Sequence, residues 1–392
     1  MTAPDTRDNL FSIGLAGALA MAAAMGFGRF SFTPILPGMM TGLGLSPGDA
    51  GLIAAGNFTG YFVGAVVSAY GWASGRERLV AMLALLATSA LLAAMAATSS
   101  VAAFTVIRFL AGIASAFAMV FSSSIVLAHA AAAGSDRVPA SHFGGVGVGI
   151  ALSSLMVAAI AFLSPGNPDD WRLDWLVGAA ITVAATIAVW HLLPAGPPRS
   201  HQPANEPPLI WGAPQLLTTL SYGLFGFGYV ITATFLVTMA RMADAGEVVE
   251  FLCWLIAGLT AAVSIIAWRP VLLRGGLAVA YMAGCVVEAA GVVATVLLPA
   301  AVAPLVGGLL FGATFMMITA YGLQIGRRLS PQSPRRALAF MTAAFGIGQI
   351  IGPLVAGAMA DATGSFAAPT LLAAAVLVVS ALLVLPVARR IG

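Results

Sequence analysis

The stretch Met25-Gly-Phe-Gly-Arg-Phe-Ser-Phe-Thr-Pro-Ile-Leu-Pro37 decides the fold of this 392-residue chain. It lies in the first long apolar segment and puts a charged side chain, Arg29, about where a membrane-spanning helix would be deepest. An arginine at that depth costs about 2.5–3.5 kcal/mol even on the lenient insertion scale, so we expect it to face a water-filled cavity or a partner. Gly26, Gly28 and Pro34 surround it, and such helix breakers are tolerated where neighbouring helices satisfy the freed backbone groups. The stretch therefore predicts the working site.

The composition is that of an integral membrane protein. Apolar residues make up 60% of the chain and charged residues 8%, with a mean hydropathy of +1.00, whereas soluble domains are about 25% charged. A spanning helix takes about 20 apolar residues, and twelve such segments occur. They cover residues 10–37, 47–72, 79–97, 101–130, 140–163, 172–193, 211–240, 248–268, 275–297, 301–326, 337–360 and 365–388. We predict an all-α membrane protein with twelve transmembrane helices.

A polar, proline-rich stretch separates the first six segments from the last six. Such a composition is typical of an extended linker. We therefore divide the chain into an N-terminal six-helix bundle (1–194), a cytoplasmic linker (195–210) and a C-terminal six-helix bundle (211–392).

The basic residues set the topology. All are arginines, and they lie singly or in pairs between apolar segments, so they form no face for nucleic acid. If both termini are cytoplasmic, the outer loops carry only Arg172 and Arg241, as the positive-inside rule requires. The inner side then carries Arg7, Arg76, Arg78, Arg137, Arg199, Arg269, Arg274, Arg327, Arg328, Arg335, Arg336, Arg389 and Arg390. We predict a multi-pass protein of the bacterial inner membrane. A cleaved signal peptide ending near Ala20 is the alternative for the first segment, although the apolar run continues past it.

The two halves repeat one another. Gly226-Phe-Gly228 answers Gly26-Phe-Gly28, with Tyr229 in the place of Arg29. Arg108-Phe-Leu-Ala-Gly112 aligns with Gly308-Leu-Leu-Phe-Gly312 at the same spacing. Two six-helix halves of equal topology imply a pseudo-twofold axis along the membrane normal, with the solute path between them.

The sequence resembles the major facilitator superfamily (MFS) of secondary transporters over essentially its whole length. Gly26-Phe-Gly-Arg-Phe30, Thr33-Pro-Ile-Leu-Pro37 and Ala50-Gly-Leu-Ile-Ala-Ala-Gly-Asn-Phe-Thr-Gly-Tyr61 look like the YbfB/YjiJ group within it. The resemblance implies two pseudo-symmetric six-helix bundles and transport of a solute that it does not name. It also implies that spans 1, 4, 7 and 10 line a central cavity.

Three wider superfamily motifs match in part. Arg108 and Gly112 fit the Arg-x-x-x-Gly core of a proton-coupling motif, with Ala111 where a glutamine is common. Gly348–Pro353 in span 11 resembles the Gly-Pro pattern that antiporters carry in span 5, which favours export. The loop after span 2 resembles the gating loop but lacks its aspartate. Its matching residues are Gly75, Arg76 and Arg78.

Polar residues at membrane depth are the candidate site. A guanidinium offers two parallel donors to a carboxylate or phosphate, although a buried arginine can also hold helices together by pairing with carbonyls. Interhelical hydrogen bonding is likewise the alternative for the neutral polar groups. The candidate solute-binding residues are Arg29, Asn57, Tyr61, Arg108, Tyr229, Tyr321 and Gln324. For proton coupling the candidates are Arg108 and Glu288, since a carboxyl group in an apolar setting can exchange protons near neutral pH; structural pairing is the alternative for Glu288.

We predict a secondary active transporter that moves a small organic solute by alternating access. The sequence has no nucleotide-binding motif, so an ion gradient, of protons, must supply the energy. Export is favoured; proton-coupled uptake of an organic anion is the alternative. A non-transporting membrane sensor is the alternative of another class, while an enzyme would need a nucleophile and base that the sequence lacks. We expect no cofactor or metal and no nucleic acid. The expected partners are the solute, protons and the lipid bilayer, and we expect a monomer.

Overall fold

The computed structural model describes residues 6–196 and 206–391, and the described residues form helices joined by short loops. Twelve helical spans are long and apolar enough to cross a membrane, which confirms the predicted number. The helices are α1 Thr6–Met21, α2 Phe32–Leu43, α3 Pro47–Ser68, α4 Glu77–Ala96, α5 Val101–Ala132, α6 Arg137–Leu163, α7 Asp170–Leu192, α8 Ala213–Met242, α9 Glu247–Ala267, α10 Arg269–Leu297, α11 Ala303–Leu329, α12 Pro334–Thr363 and α13 Ala367–Ile391. Together α1 and α2 make the first span, so α3–α13 are spans 2–12.

The predicted linker falls largely on residues 197–205, which lie outside the described residues. Its described flanks, 194–196 and 206–212, are not helical. The extent of the linker and the limits of the two domains therefore stay predictions.

The first span is broken at its middle. A π-helical turn, Ala22–Phe27, joins α1 to the break. There the Gly28 and Phe30 amides donate to carbonyls five residues back, at 2.9 and 3.0 Å. Pro34 has no N–H to offer the preceding turn, and the Thr33 amide bonds the Phe30 carbonyl at 3.2 Å instead of the Arg29 carbonyl. No backbone amide of the described residues donates to the carbonyls of Gly28 and Arg29.

The internal repeat is visible in the helix packing. A Cβ atom added to Gly112 on α5 would collide with the Asn57 carbonyl of α3, and one added to Gly312 on α11 would collide with the Ala257 carbonyl of α9. Both pairs are related by the same offset that relates Gly26 to Gly226. The chain therefore folds as two pseudo-symmetric six-helix bundles, α1–α7 and α8–α13, as predicted.

The bundles meet chiefly where α3 packs on α12 and α6 packs on α9, and α2 contacts both α8 and α9. We call the side with the α3–α4, α5–α6 and α11–α12 loops the arginine-rich face, and the opposite side the arginine-poor face. At the arginine-poor face, the Asp361 carboxylate accepts hydrogen bonds from the Ser46 hydroxyl and the Gly48 amide, both at 3.1 Å. Deeper in, the Thr33 hydroxyl donates to the Ala233 carbonyl at 2.5 Å. Polar contacts therefore fasten the two halves from the arginine-poor face inwards.

The peripheral helices turn large apolar side chains outwards. Leu83, Ile187, Val286 and Leu382, one on each of α4, α7, α10 and α13, are more than half exposed. This is the surface that lipid would cover. The polar side chains discussed below lie instead between the helices.

Candidate functional site

Arg29 lies in the break of the first span and is only 4% exposed. Its guanidinium carbon lies 4.3 Å from the centre of the Tyr61 ring and 4.7 Å from that of Phe58. A cation above an aromatic face is stabilised by the ring's quadrupole, most strongly where water is excluded. Its Nε and Nη2 nitrogens have no hydrogen-bond partner among the described residues. The structure thus holds a buried cation with two nitrogens that donate to none of the described residues.

Arg108, on α5, has a different environment although it is equally buried. Its Nη1 donates to the Gly28 carbonyl at 2.9 Å and its Nη2 to the Arg29 carbonyl at 2.8 Å. These are the two carbonyls that the break leaves without a backbone donor. Asn57 fixes this part of α5 in turn, since its amide donates to the Arg108 carbonyl at 3.0 Å. Arg108 therefore stabilises the break in the first span by donating to two of its carbonyls.

The C-terminal half contributes a stack of aromatic rings. The Tyr229 ring lies 5.1 Å from Phe225, 5.5 Å from Phe345 and 6.1 Å from Phe315, with interplanar angles of 23°, 8° and 3°. Its hydroxyl accepts a hydrogen bond from the Gln349 amide. Three helices, α8, α11 and α12, supply these rings. We call this group of rings, formed by Phe225, Tyr229, Phe315 and Phe345, the aromatic wall.

The aromatic wall and Arg29 face one another across the junction of the halves. The ring of Phe30, the residue that follows Arg29, meets the edge of the Phe315 ring with centroids 6.1 Å apart. Sequence reasoning named Tyr229 but missed the other rings. Their spacing was a usable signal, because Phe311 and Phe315 are one helical turn apart and stack at 4.7 Å.

The remaining solute-binding candidates lie at different depths. The Tyr61 hydroxyl donates to the Met119 sulfur at 3.1 Å while its ring covers Arg29. Tyr321 is buried but lies about 9 Å further along the axis of α11 than Phe315, at 1.5 Å per residue. Gln324 is exposed near the arginine-rich end of that helix. The structure thus brings Arg29, Tyr61 and Tyr229 together and leaves Tyr321 and Gln324 apart from them.

Glu288, the proton-coupling candidate on α10, is fully buried. Its Oε2 accepts from the Thr314 hydroxyl at 3.2 Å, and its Oε1 has no partner among the described residues. Thr314 immediately precedes Phe315, a ring of the aromatic wall. The second proton-coupling candidate, Arg108, is in the other half. Glu288 is therefore linked to the aromatic wall and not to Arg108.

Comparison with known proteins identifies the family. The model of the family described as "Uncharacterised MFS-type transporter YbfB" matches residues 21–385. The chain belongs to this family. No curated protein sequence matches this YbfB-type transporter.

Solved structures show the same fold. A mutant of the nucleoside transporter NupG has a TM-score of 0.77 at 16% identity, covering 96% of this chain and 99% of that one. A bacterial homologue of the human lysosomal transporter Spinster, inward-facing and unoccupied, has a TM-score of 0.74 at 14% identity, covering 100% of this chain and 98% of that one. At such identities the likeness concerns the fold alone. The YbfB-type chain is a membrane transporter and not an enzyme, in agreement with the prediction.

The predicted gating loop of this YbfB-type transporter packs within its own half. Gly75 has a φ of 78°, which favours glycine, and its amide donates to the Glu77 carboxylate at 3.0 Å. The Arg78 guanidinium lies 5.0 Å from the Trp190 ring and donates to the carbonyl of the same residue. Arg76 is exposed. The loop is thus attached to the end of α7, and its gating role stays a prediction.

His142 is a buried ionisable residue of this YbfB-type transporter that the sequence did not indicate. It is fully enclosed between α1, α5 and α6. Its Nε2 lies 2.7 Å from the Ser123 hydroxyl. Neither residue reaches Arg29 through a hydrogen bond in the described part of the chain. No group of three or more metal-ligating side chains occurs among the described residues.

Proposed function

We propose that this protein is a secondary active transporter of the bacterial inner membrane. It moves a small organic solute by alternating access and is driven by the proton gradient. Both termini are cytoplasmic in this proposal, so the arginine-rich face is the inner one. Export is the favoured direction, and uptake of an organic anion is the alternative. The protein acts as a monomer.

The buried guanidinium of Arg29, with two nitrogens that bind none of the described residues, carries the proposal. A charged side chain at membrane depth is expensive and marks a functional site by default. The alternative, that it holds helices together, fits Arg108 but not Arg29, because Nε and Nη2 of Arg29 bind none of the described residues. Arg29 also lies where the two halves meet, opposite the aromatic wall. Alternating access requires the solute site at such a junction.

Glu288 supports coupling to protons. It is a fully buried carboxyl group with one oxygen unpartnered in the described part of the chain, and its other oxygen accepts from Thr314, next to Phe315 of the aromatic wall. A buried carboxyl group is held more easily in its neutral form, so solute movement near Tyr229 and proton movement at Glu288 can influence each other. Arg108 contributes by fixing the geometry of the break.

Transport into proteoliposomes tests the function. The purified full-length chain is reconstituted, a pH gradient is imposed, and labelled organic acids, neutral polar solutes and lipophilic cations are screened. At least one solute should accumulate, and a protonophore should abolish the accumulation. Arg29→Lys should lose this transport, whereas Arg274→Lys, on an exposed arginine, should keep it. A complete lack of gradient-driven movement of every solute would contradict the proposed function.

A further inference from the structure

Arg29 presents one particular edge of its guanidinium. Nε–H and Nη2–H point the same way from the guanidinium plane and form the fork that grips both oxygens of a carboxylate. These two donors have no hydrogen-bond partner among the described residues. Arg241 uses the same edge on a carboxylate elsewhere in the chain, where its Nε and Nη2 both donate to Oε2 of Glu250, at 2.8 and 2.6 Å. The free edge of Arg29 is therefore shaped for a carboxylate.

Arg29 is the cation at the site with a free pair of donors among the described residues. Arg108 is the nearest other cation in the described part of the chain, and its two Nη groups already donate to the Gly28 and Arg29 carbonyls. A ligand with two negative charges would therefore leave one of them unpaired in a buried environment, which is costly. The charge balance favours a monoanion.

The rest of the ligand would meet aromatic rings. Phe58 and Tyr61 cover the guanidinium. In the aromatic wall, the ring planes of Tyr229, Phe315 and Phe345 are nearly parallel. Flat rings at that spacing favour offset stacking with another flat ring. The Tyr229 hydroxyl oxygen accepts from Gln349, so its own proton is free to be donated. An aliphatic or strongly hydrated body would gain less from these surroundings.

From this arrangement we infer that the solute is an aromatic monocarboxylate, with its carboxylate on Nε and Nη2 of Arg29 and its ring against the aromatic wall. The inference rests on the proposed transport function and specifies its solute. Arg29 is the specificity-determining residue for charge. Tyr229 and its neighbouring rings determine shape.

Competition binding tests the inference on the full-length protein in nanodiscs. The probe is radiolabelled benzoate at neutral pH. Benzamide is flat but neutral and should bind about tenfold more weakly or worse, since one charge-assisted hydrogen bond corresponds to about that factor. Cyclohexanecarboxylate has the charge without the flat ring and should bind several-fold more weakly. Phthalate, a dianion, should also compete poorly.

Arg29→Lys keeps the charge but loses the fork, and should weaken benzoate binding about tenfold. Arg241→Lys, the same change at a fork outside the site, should leave it unaltered. If Arg29→Lys does not fold, the wild-type competition series decides alone. Benzamide or cyclohexanecarboxylate binding as well as benzoate, or full binding by a folded Arg29→Lys, would overturn the inference. If gradient-driven transport of another solute is found while benzoate does not bind, the solute class is wrong and the transport function stands.

Discussion

Replacing Arg108 with methionine should destabilise the fold, whereas the same replacement at Arg29 should not. The two side chains are equally buried, and both lie at the break of the first span. They differ in their hydrogen bonds. Arg108 donates to the Gly28 and Arg29 carbonyls, while Nε and Nη2 of Arg29 donate to none of the described residues.

The size of the effect follows from the carbonyls. Without Arg108 both remain buried and unpaired, at about 1–3 kcal/mol each. Part of that cost is offset because a charge no longer has to be kept out of water, so we expect a net loss of about 2–4 kcal/mol. Arg29→Met removes two buried donors that bind none of the described residues, which favours the folded state. It also removes a cation–π contact of about 2 kcal/mol, which disfavours the folded state. The two contributions oppose each other, and stability should stay within about 1 kcal/mol of wild type.

Reversible unfolding in mixed dodecyl maltoside and SDS micelles, followed by tryptophan fluorescence, measures both variants. Arg274→Met, on an exposed arginine, is the matched control. Arg108→Met should unfold at a clearly lower SDS concentration than the control Arg274→Met. Arg29→Met should unfold at the same SDS concentration as that control. Equal midpoints for Arg108→Met and Arg274→Met would refute the stabilising role of Arg108. Strong destabilisation by Arg29→Met would show that Arg29 is itself structural.

Two further substitutions test the packing and the coupling. Gly60→Ala should lower the thermal midpoint of unfolding, because its Cβ would collide with the Phe109 carbonyl and push α3 away from α5. Gly212→Ala is the control, since the nearest atom to its Cβ is 3.7 Å away. Equal midpoints for the two variants would argue against close packing of α3 on α5. Glu288→Gln should abolish accumulation driven by a pH gradient but keep solute exchange at equal pH in proteoliposomes. Undiminished gradient-driven accumulation would exclude Glu288 from coupling.

The sequence was sufficient for the fold because its signals are local. Apolar segments of spanning length predicted the twelve spans, and the breakers noted around Arg29 lie where the first span is interrupted. The repeated glycines predicted the pseudo-symmetry, since Gly112 and Gly312 pack against equivalent carbonyls. The first span nevertheless continues to Leu43, beyond the predicted end at residue 37. Pro37 lies inside α2, where its missing N–H is tolerated within the bundle.

The site was less accessible because its contacts join distant parts of the chain. Nothing local distinguishes Arg29 from Arg108, yet the partners of Arg108 lie about 80 residues away in sequence, and only the packing of α5 on the break assigns them. The aromatic wall likewise needs three helices to form. Conversely, Tyr321 was named from its position on a cavity-lining span, and depth along that helix separates it from the wall.

The central claim is that the halves move against each other around the Arg29 site, and locking the arginine-poor face tests it most directly. Position 48 lies against the Asp361 side chain, because a Cβ atom there would be 3.3 Å from the Asp361 Cγ, and the native Cys253 and Cys285 are buried and free. Gly48→Cys with Asp361→Cys should transport solute in proteoliposomes when reduced, stop when oxidised, and recover with reductant, while each single variant stays active under both conditions. Full transport by the quantitatively cross-linked protein would contradict the account.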